Sequence, residues 1–489
     1  MNRKYIAAIT AGALLALAGC TARPVGEPVT TEEAQTGQTE TPAETSAEEP
    51  SQTETETETE TETSEEPLTE ESTEQLEEPK EETGKKVIIA SDIHYLAREL
   101  TDMGLGFNYM VEHGDGKVVN YIWEITDAFL KEVIEAKPKA LILSGDLSLN
   151  GEYQSHLELS ERLYAVEEAG IPVVVIPGNH DINNVSAAAY EEGIRFPAER
   201  TSPEAFEGIY SDFGYDEAVS RDEYSLSYVY QLDEYNRLLM LDTCQYEGAA
   251  QVGGMIKSET YDWIELQMED AWEQGMNVIP VAHHNLLDQS RVYIDDCTIE
   301  HSSQLIDQLE SWDVGIFLSG HLHVQHFRYS EKDQTGICEI VTSSLATPPC
   351  QYGVLEYTDD AVYRYHTEIL NMEHWAYDEK VTDDNLLDFN SYKEPFLMRV
   401  FYNQAYEELR HISNKDHEFT EDEMARMSQM FARLNSYSYA GKAYQIKEES
   451  KKDEAYKLWT DYTYPSILMQ YIDEILTDAV VDYNKVEIE

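Results

Sequence analysis

Val173-Val174-Val175-Ile176-Pro177-Gly178-Asn179-His180-Asp181 places four β-branched residues just before a glycine, a carboxamide, an imidazole and a carboxylate. The first half reads as a strand covered on both faces, because a run that is apolar at every position leaves no side for water. The second half gathers polar groups where that strand ends. An Asn carboxamide is a weak ligand alone but a useful neutral oxygen in a site already rich in charge, and His180 beside Asp181 offers a positioned acid with an orienting carboxylate. A helix N-cap would account for Asn179 or Asp181 taken singly.

Working outward, the same arrangement recurs four times. Apolar Val87-Ile88-Ile89-Ala90 precedes Asp92-Ile93-His94, and Ala140-Leu141-Ile142-Leu143 precedes Gly145-Asp146. Asn277-Val278-Ile279-Pro280-Val281 precedes His283-His284, and Val314-Gly315-Ile316-Phe317-Leu318 precedes Gly320-His321-Leu322-His323. All five polar runs begin where a strand stops, which brings them to the carboxyl edge of the sheet, where open α/β sheets bind ligands. Amphipathic stretches lie between. Residues 121–136, with Ile122, Ile125, Phe129 and Ile134, and residues 158–169, with Leu159, Leu163 and Val166, read as helices packed on a sheet. Any one D-x-H or H-x-H is more often a solvated turn than a site, and the cap reading of Asn179 leaves the other four runs unexplained. Together the runs hold the carboxylates, imidazoles and carboxamide that two adjacent divalent cations need.

In order and spacing these blocks resemble the calcineurin-like metallophosphoesterase superfamily, whose pattern is D-x-H, G-D, G-N-H-D or G-N-H-E, H and G-H-x-H. The resemblance covers residues 86 to about 368. It implies an α/β fold, a four-layer αββα sandwich, with one metal held by Asp92, His94, Asp146 and His323 and a second by Asp146, Asn179, His283 and His321. It implies that His180 is the imidazole that contacts phosphate and protonates the leaving oxygen, with Asp181 orienting it. His283 is taken as the fourth-block ligand and His284 as the alternative. The implied chemistry is hydrolysis of phosphate esters, most often phosphodiesters, by a metal-bound hydroxide in a dinuclear site. The mixed carboxylate and imidazole shell suits Mn²⁺ or Fe, then Zn²⁺, better than oxygen-seeking Mg²⁺ or Ca²⁺.

The run Gly145-Asp146-Leu147-Ser148-Leu149-Asn150-Gly151-Glu152, with Ile171-Pro172-Val173 ahead of the strand into Gly178, is similar to bacterial class III cyclic nucleotide phosphodiesterases. Purple acid phosphatases carry a ligating Tyr soon after the G-D block and lack the His of D-x-H, so Leu147-Ser148-Leu149 and His94 argue against them. Asp181 and the few arginines near the motifs argue against the protein Ser/Thr phosphatases. Two insertions are expected to shape the pocket. Residues 100–119 include Met103-Gly104-Leu105-Gly106-Phe107-Asn108-Tyr109 and His113-Gly114-Asp115-Gly116. Residues 183–223 carry Arg195, Phe196, Arg200, Phe206 and Tyr210, which could stack on a base, meet an anion, or only pack and exclude water. His113, His156, His301, His326, His366, His374, His411 and His417 fit no block and read as surface or packed residues.

The N-terminus speaks to location. Asn2-Arg3-Lys4 is basic, residues 5–18 are apolar but too short to span a bilayer, and Leu17-Ala18-Gly19-Cys20 resembles a bacterial lipobox. That resemblance implies a signal peptide over 1–20, lipidation of Cys20 and an exported lipoprotein on the extracytoplasmic face of a bacterial membrane. An ordinary secretory signal with an incidental Cys20 is the alternative. Residues 21–85 are dominated by Thr, Glu, Ser and Pro, and with almost nothing apolar to bury they are expected to stay disordered, as a tether. The formal charge is −62, and about 18 units of it fall in 21–85. The folded part is therefore acidic too, which opposes binding to a nucleic-acid polymer or an anionic membrane surface. Cys244, Cys297, Cys338 and Cys350 show no paired CxxC spacing; Cys338 and Cys350 could close a short loop, and free buried thiols are the other reading.

Residues 369–489 change to a helical pattern. Phe396, Leu397, Val400, Phe401, Ala405, Leu409 and Ile412 make one stripe, Thr420 and Glu423 a capping box, and Ile467, Leu468, Tyr471, Ile472, Ile475 and Leu476 another stripe. They describe a small all-helical C-terminal domain. Besides the phosphodiesterase, the sequence admits a phosphomonoesterase or pyrophosphatase of the same fold, acting on a small phosphoester, and a non-catalytic surface-binding lipoprotein. Retention of every ligand together with His180 disfavours the last.

Overall fold

The computed structural model describes residues 85–489 except 249, 413 and 415. The signal segment, Cys20 and the Thr/Glu-rich stretch lie outside the described residues, apart from Lys85. Among the described residues no helix is long and apolar enough to cross a membrane.

Two sheets form the body. One runs in the order β15 (Lys485–Ile488), β14 (Tyr363–Ile369), β13 (Gln351–Tyr357), β1 (Lys85–Ala90), β2 (Leu141–Leu143), β3 (Val173–Val175). The other runs β11 (His326–Tyr329), β12 (Cys338–Val341), β10 (Ile316–Ser319), β9 (Asn277–Ala282), β8 (Asn236–Leu241), β7 (Tyr228–Gln231), β6 (Ser220–Arg221). Strands β1, β2 and β3 are parallel, as are β8, β9, β10 and β12, and antiparallel strands finish both sheets. Side chains of β8 alternate between two cores: Leu238 and Met240 face one, Leu239 and Leu241 the other. In β10 Ile316 and Leu318 share the first core and Phe317 joins the second, the two-residue period of a pleated strand. The first core lies between the sheets and continues to the helices Ile122–Ala136 and Tyr153–Glu168; the second lies under Ser258–Gln274 and Ser302–Ser311. Helix, sheet, sheet, helix is the expected four-layer order.

The five polar runs do not share one sheet edge. Three follow β1, β2 and β3 and two follow β9 and β10, so the motif strands are split between the sheets. The edges are stitched together: the His321 amide donates to Asp92 Oδ2 at 3.0 Å, crossing from one sheet to the other. Ordering along the chain could not reveal this, because a parallel neighbour in the same sheet and a strand in the facing sheet are both reached by a helical crossover.

The insertions fold. Residues Leu105–Glu112 form a helix against the hairpin β4 (Ala188–Glu191) and β5 (Ile194–Pro197), with Phe107 edge-on to Tyr190 at 5.8 Å. Phe206 and Tyr210, expected among the groups able to stack on a base, are fully buried. Tyr210 hydroxyl donates to His156 Nδ1, so both aromatics serve the core, while Arg195, Phe196 and Arg200 stay exposed. From Met372 to Asp478 the chain is helical, and Thr420 and Glu423 form the expected capping box. The last strand, β15, then returns to pair with β14, a pairing unread in the sequence. All four described cysteines are free thiols.

Candidate metal centre

Five of the site residues sit on backbone that leaves its strand abruptly. Asp92, His94, Asp146, His321 and His323 all have φ between 50° and 73°, a region costing non-glycine residues about 1 kcal/mol or more each. Such strain persists only where the surroundings over-determine it. Here the Asp92, His94 and Tyr95 amides donate to the Gly145, Asp146 and Leu147 carbonyls at 2.9–3.0 Å, extending the pairing of β1 and β2 past their ends. Gly178 sits so close to Asp146 that a Cβ there would overlap the Asp146 amide nitrogen and carboxylate. Gly178→Ala is therefore expected to cost several kcal/mol or to yield no folded protein, read by thermal unfolding and soluble yield.

One group of donors is Asp92, His94, Asp146 and His323, all buried, with one potential ligand atom of each within 4.8 Å of the others. His94 Nε2 and His323 Nε2 are 3.1 Å apart, and His323 Nε2 is 3.2 Å from Asp92 Oδ1. That carboxylate oxygen is buried without a hydrogen-bond partner. Two imidazole nitrogens so close can share one hydrogen at most, and a cation that accepts both lone pairs and the orphaned oxygen satisfies all three.

The second group is Asp146, Asn179, His283 and His321. His283 Nε2 lies 3.1 Å from Asn179 Oδ1, 3.2 Å from His321 Nδ1 and 3.5 Å from Asp146 Oδ1. The proton positions follow from what faces each ring's far side, because a carbonyl can only accept. His283 Nδ1 donates to the Ser144 carbonyl at 2.9 Å and His321 Nε2 to the Asp296 carbonyl at 2.9 Å, which leaves His283 Nε2 and His321 Nδ1 as the lone-pair nitrogens. Asp146 stands between the groups, with Oδ2 3.7 Å from His94 Nε2 and Oδ1 turned to His283. Both sets fit divalent cations, with Asp146 as the shared carboxylate. His284 is not aimed at the cluster: Nε2 donates to the Val252 carbonyl and Nδ1 accepts from the Thr243 hydroxyl, each at 2.8 Å.

Electrostatics agree. Burial alone would lower His283, but the Asp146 carboxylate, with Asp92 behind it, outweighs burial and holds the imidazole up to about 9. His284, buried beside the charge of His283, falls to about 3. Carboxylates that draw a proton onto a buried ring draw a cation to the same place.

His180 Nε2 lies 3.9 Å from Asp146 Oδ2, and Nδ1 donates to the Leu149 carbonyl at 3.0 Å, with Asn150 Oδ1 at 3.1 Å. Burial lowers its pKa, opposed by Asp146 and aided by Lys117. Asp181, expected to orient His180, is engaged elsewhere. Its carboxylate accepts from the Leu147, Ser148 and Gly178 amides and the Ser148 hydroxyl at 2.8–3.1 Å, pinning the Asp146 loop to the Asn179 loop. The ring is held by the segment after Asp146 instead.

Several supporting residues went unread. His156 Nε2 donates to the Asp181 carbonyl at 3.1 Å, so a histidine that fits no block braces the catalytic turn. Glu339, on β12, accepts from the Leu286 and Leu287 amides, Gln289 and Ser319 at 2.7–2.8 Å and fixes the loop after His283. A lone acid inside Cys338-Glu339-Ile340-Val341 was the available signal.

Glu152 is buried, accepts from the Asn150 amide at 2.8 Å and the Ala188 amide at 3.2 Å, and burial lifts its pKa to about 7. Because its folded-state pKa lies above the usual carboxylate value, the folded state holds the proton more tightly, and stability falls as pH rises from about 4.5 to 7. Glu152→Gln is expected to abolish about 3 kcal/mol of that fall, leaving only a pH-independent offset, measured by urea unfolding at pH 4.5, 6 and 8.

The family profile described as calcineurin-like phosphoesterase matches residues 85–325. The chain belongs to that family. A second profile, described as the C-terminal domain of cyclic nucleotide phosphodiesterase, matches residues 371–482 of this phosphoesterase. Similar solved structures include a dimetal phosphatase from Danio rerio, at 12% identity over 58% of this chain and 95% of that one with a TM-score of 0.41. The purple acid phosphatase PPD1 from yellow lupin, Lupinus luteus, is 13% identical over 58% of this chain and 51% of that one, with a TM-score of 0.38. A putative 5'-nucleotidase from Staphylococcus aureus is 12% identical over 64% and 59%, with a TM-score of 0.35. Comparison with curated proteins found no match.

Proposed function

We propose that this phosphoesterase hydrolyses a small phosphodiester, cyclic or linear and nucleotide-like, and that it does so as an exported lipoprotein tethered through Cys20. The observation that carries the hydrolytic reading is Asp146 set between two complete donor groups with His180 at their margin. The match of residues 371–482 to a cyclic nucleotide phosphodiesterase region supports the diester, and the lipobox-like Leu17-Ala18-Gly19-Cys20 supports export.

Asp92, His94, Asp146 and His323 would hold one cation and Asp146, Asn179, His283 and His321 the other, with Mn²⁺ or Fe the expected metals. When bound, the pair supplies an activated water and neutralises charge on the phosphoryl oxygens. The remaining work falls to this chain. His180 takes the phosphate on the Nε2 side, because its Nδ1 proton is committed to Leu149. An anion brought against Nε2 favours the protonated ring, which then has a proton for the departing oxygen. The Ser144 and Asp296 carbonyls keep the lone pairs of His283 and His321 turned inward throughout.

The Mn²⁺-loaded protein is expected to hydrolyse bis(p-nitrophenyl) phosphate with a kcat/KM at least tenfold above that for p-nitrophenyl phosphate. The reverse preference would make it a phosphomonoesterase.

A further inference from the structure

The segment His113-Gly114-Asp115-Gly116-Lys117-Val118 holds an ion pair that none of the motif chemistry uses. Lys117 Nζ lies 2.8 Å from Asp115 Oδ2, and the two side chains are 6% and 15% exposed. An ammonium has three donors, and among the described residues Asp115 is the partner found for this one. Burying a cation with donors unmatched is costly, so a use is expected for them.

The loop is fixed close to the metal centre. The Val118 amide donates to the Ala346 carbonyl at 2.8 Å, the Ala346 amide to the carbonyl of Asp92 at 3.4 Å, and the Leu345 amide to that of Ser91 at 3.0 Å. Lys117 is thus one residue from backbone that is itself bonded to the residue holding Asp92. Its exposure as a residue, 6%, is close to that of Asn179 at 7% and His180 at 9%, whereas the enclosed ligands Asp92, His94 and His283 show none. Burial is the main cause that lowers the His94 and His180 imidazoles, and the charge of Lys117 adds to it at both.

The C-terminal helix Phe389–His411 braces this loop from outside. Arg399 pairs with both Glu112 oxygens at 2.8 and 2.9 Å, and the Gln404 amide donates to the Gly114 carbonyl at 2.9 Å. Gly116, at φ +95°, leaves room for Leu397, whose Cδ1 a Cβ there would overlap. The appended helices therefore set the position of a charged pair beside the catalytic centre.

We propose that Lys117 contacts phosphate oxygens of the substrate, with Asp115 as its resting counter-ion and the C-terminal helix as the support that presents it. This rests on the phosphoester reading of the metal centre. A fixed ammonium with spare donors suits an anion, and a partner carboxylate keeps it from trapping other anions between turnovers.

The two members of the pair predict opposite effects, which a purely structural salt bridge does not. Inorganic phosphate is titrated calorimetrically into the Mn²⁺-loaded full chain as wild type, Lys117→Met and Asp115→Asn, with bis(p-nitrophenyl) phosphate kinetics alongside. Lys117→Met is expected to weaken phosphate about tenfold and to raise KM more than it lowers kcat, with two Mn²⁺ still bound. Asp115→Asn is expected to tighten phosphate, because the ammonium loses its competitor. Equal phosphate affinity in wild type and Lys117→Met overturns the assignment, as does an Asp115→Asn protein that binds phosphate no better than wild type. The second comparison decides the matter even if Lys117→Met does not fold. Failure of the phosphoester reading would appear instead in the wild type, as no turnover of either ester, whatever the variants do to phosphate binding.

Discussion

Asp146→Asn is expected to lower metal-dependent hydrolysis of bis(p-nitrophenyl) phosphate by about 10³-fold or more while leaving the protein folded. The asparagine keeps the size of the side chain and an oxygen that can accept the His180 amide, which Asp146 Oδ1 does at 2.8 Å. What it removes is the negative charge standing between His94 on one side and His283 on the other. Charge stabilisation by a metal is worth several kcal/mol, and each 1.36 kcal/mol is a factor of ten in rate, so loss of the shared ligand reaches three decades. Metal content read by elemental analysis should fall from two ions per chain to one or none, with a melting temperature close to that of the metal-stripped wild type. Two ions still bound with full turnover would mean that Asp146 is not the shared ligand.

The donor residues were legible because each follows a strand whose apolar run is visible alone: β1, β2, β3, β9 and β10 coincide with the five runs to within two residues at either end. Where the reading stopped is also physical. The helix Tyr153–Glu168 begins five residues before the stretch recognised as amphipathic, because its first turn buries Ser155 and His156 in place of apolar side chains. For Phe206 and Tyr210 the sequence leaves stacking on a base and simple packing both open, and their burial decides for packing, whereas Arg195, Phe196 and Arg200 are exposed members of that insertion. The partners of the site residues were the least legible of all. Ser144 meets His283 across 139 positions and Asp296 meets His321 across 25, and nothing local to either residue distinguishes a carbonyl that will face an imidazole. Asp181 shows the same limit from the other side. Adjacency to His180 suggested an orienting carboxylate, whereas the tight turn directs that side chain to the amides of Leu147, Ser148 and Gly178.

That reassignment makes the role of His180 separable from the metals. His180→Ala is expected to reduce kcat by about 10²- to 10⁴-fold for esters with poor leaving groups, such as a nucleoside alkoxide, the usual span for a general acid. For bis(p-nitrophenyl) phosphate the loss should be much smaller, because p-nitrophenolate departs without being protonated. Metal content should stay at two ions, since the His180 side chain belongs to neither donor group, its Nε2 lies 3.9 Å from Asp146 Oδ2, and the backbone amide that bonds Asp146 is kept in the variant. Asn150→Ala should follow the same leaving-group dependence in weaker form: it deletes the oxygen 3.1 Å from Nδ1 but leaves the Leu149 carbonyl at 3.0 Å to hold the ring. Asp181→Asn, by contrast, should act through stability and metal binding, because it breaks the clamp between the Asp146 and Asn179 loops, and its effect on rate should be the same for good and poor leaving groups. A loss in His180→Ala that is equal for both ester types would show that the imidazole only positions phosphate, and the proton for the leaving oxygen would then have to come from elsewhere in the site.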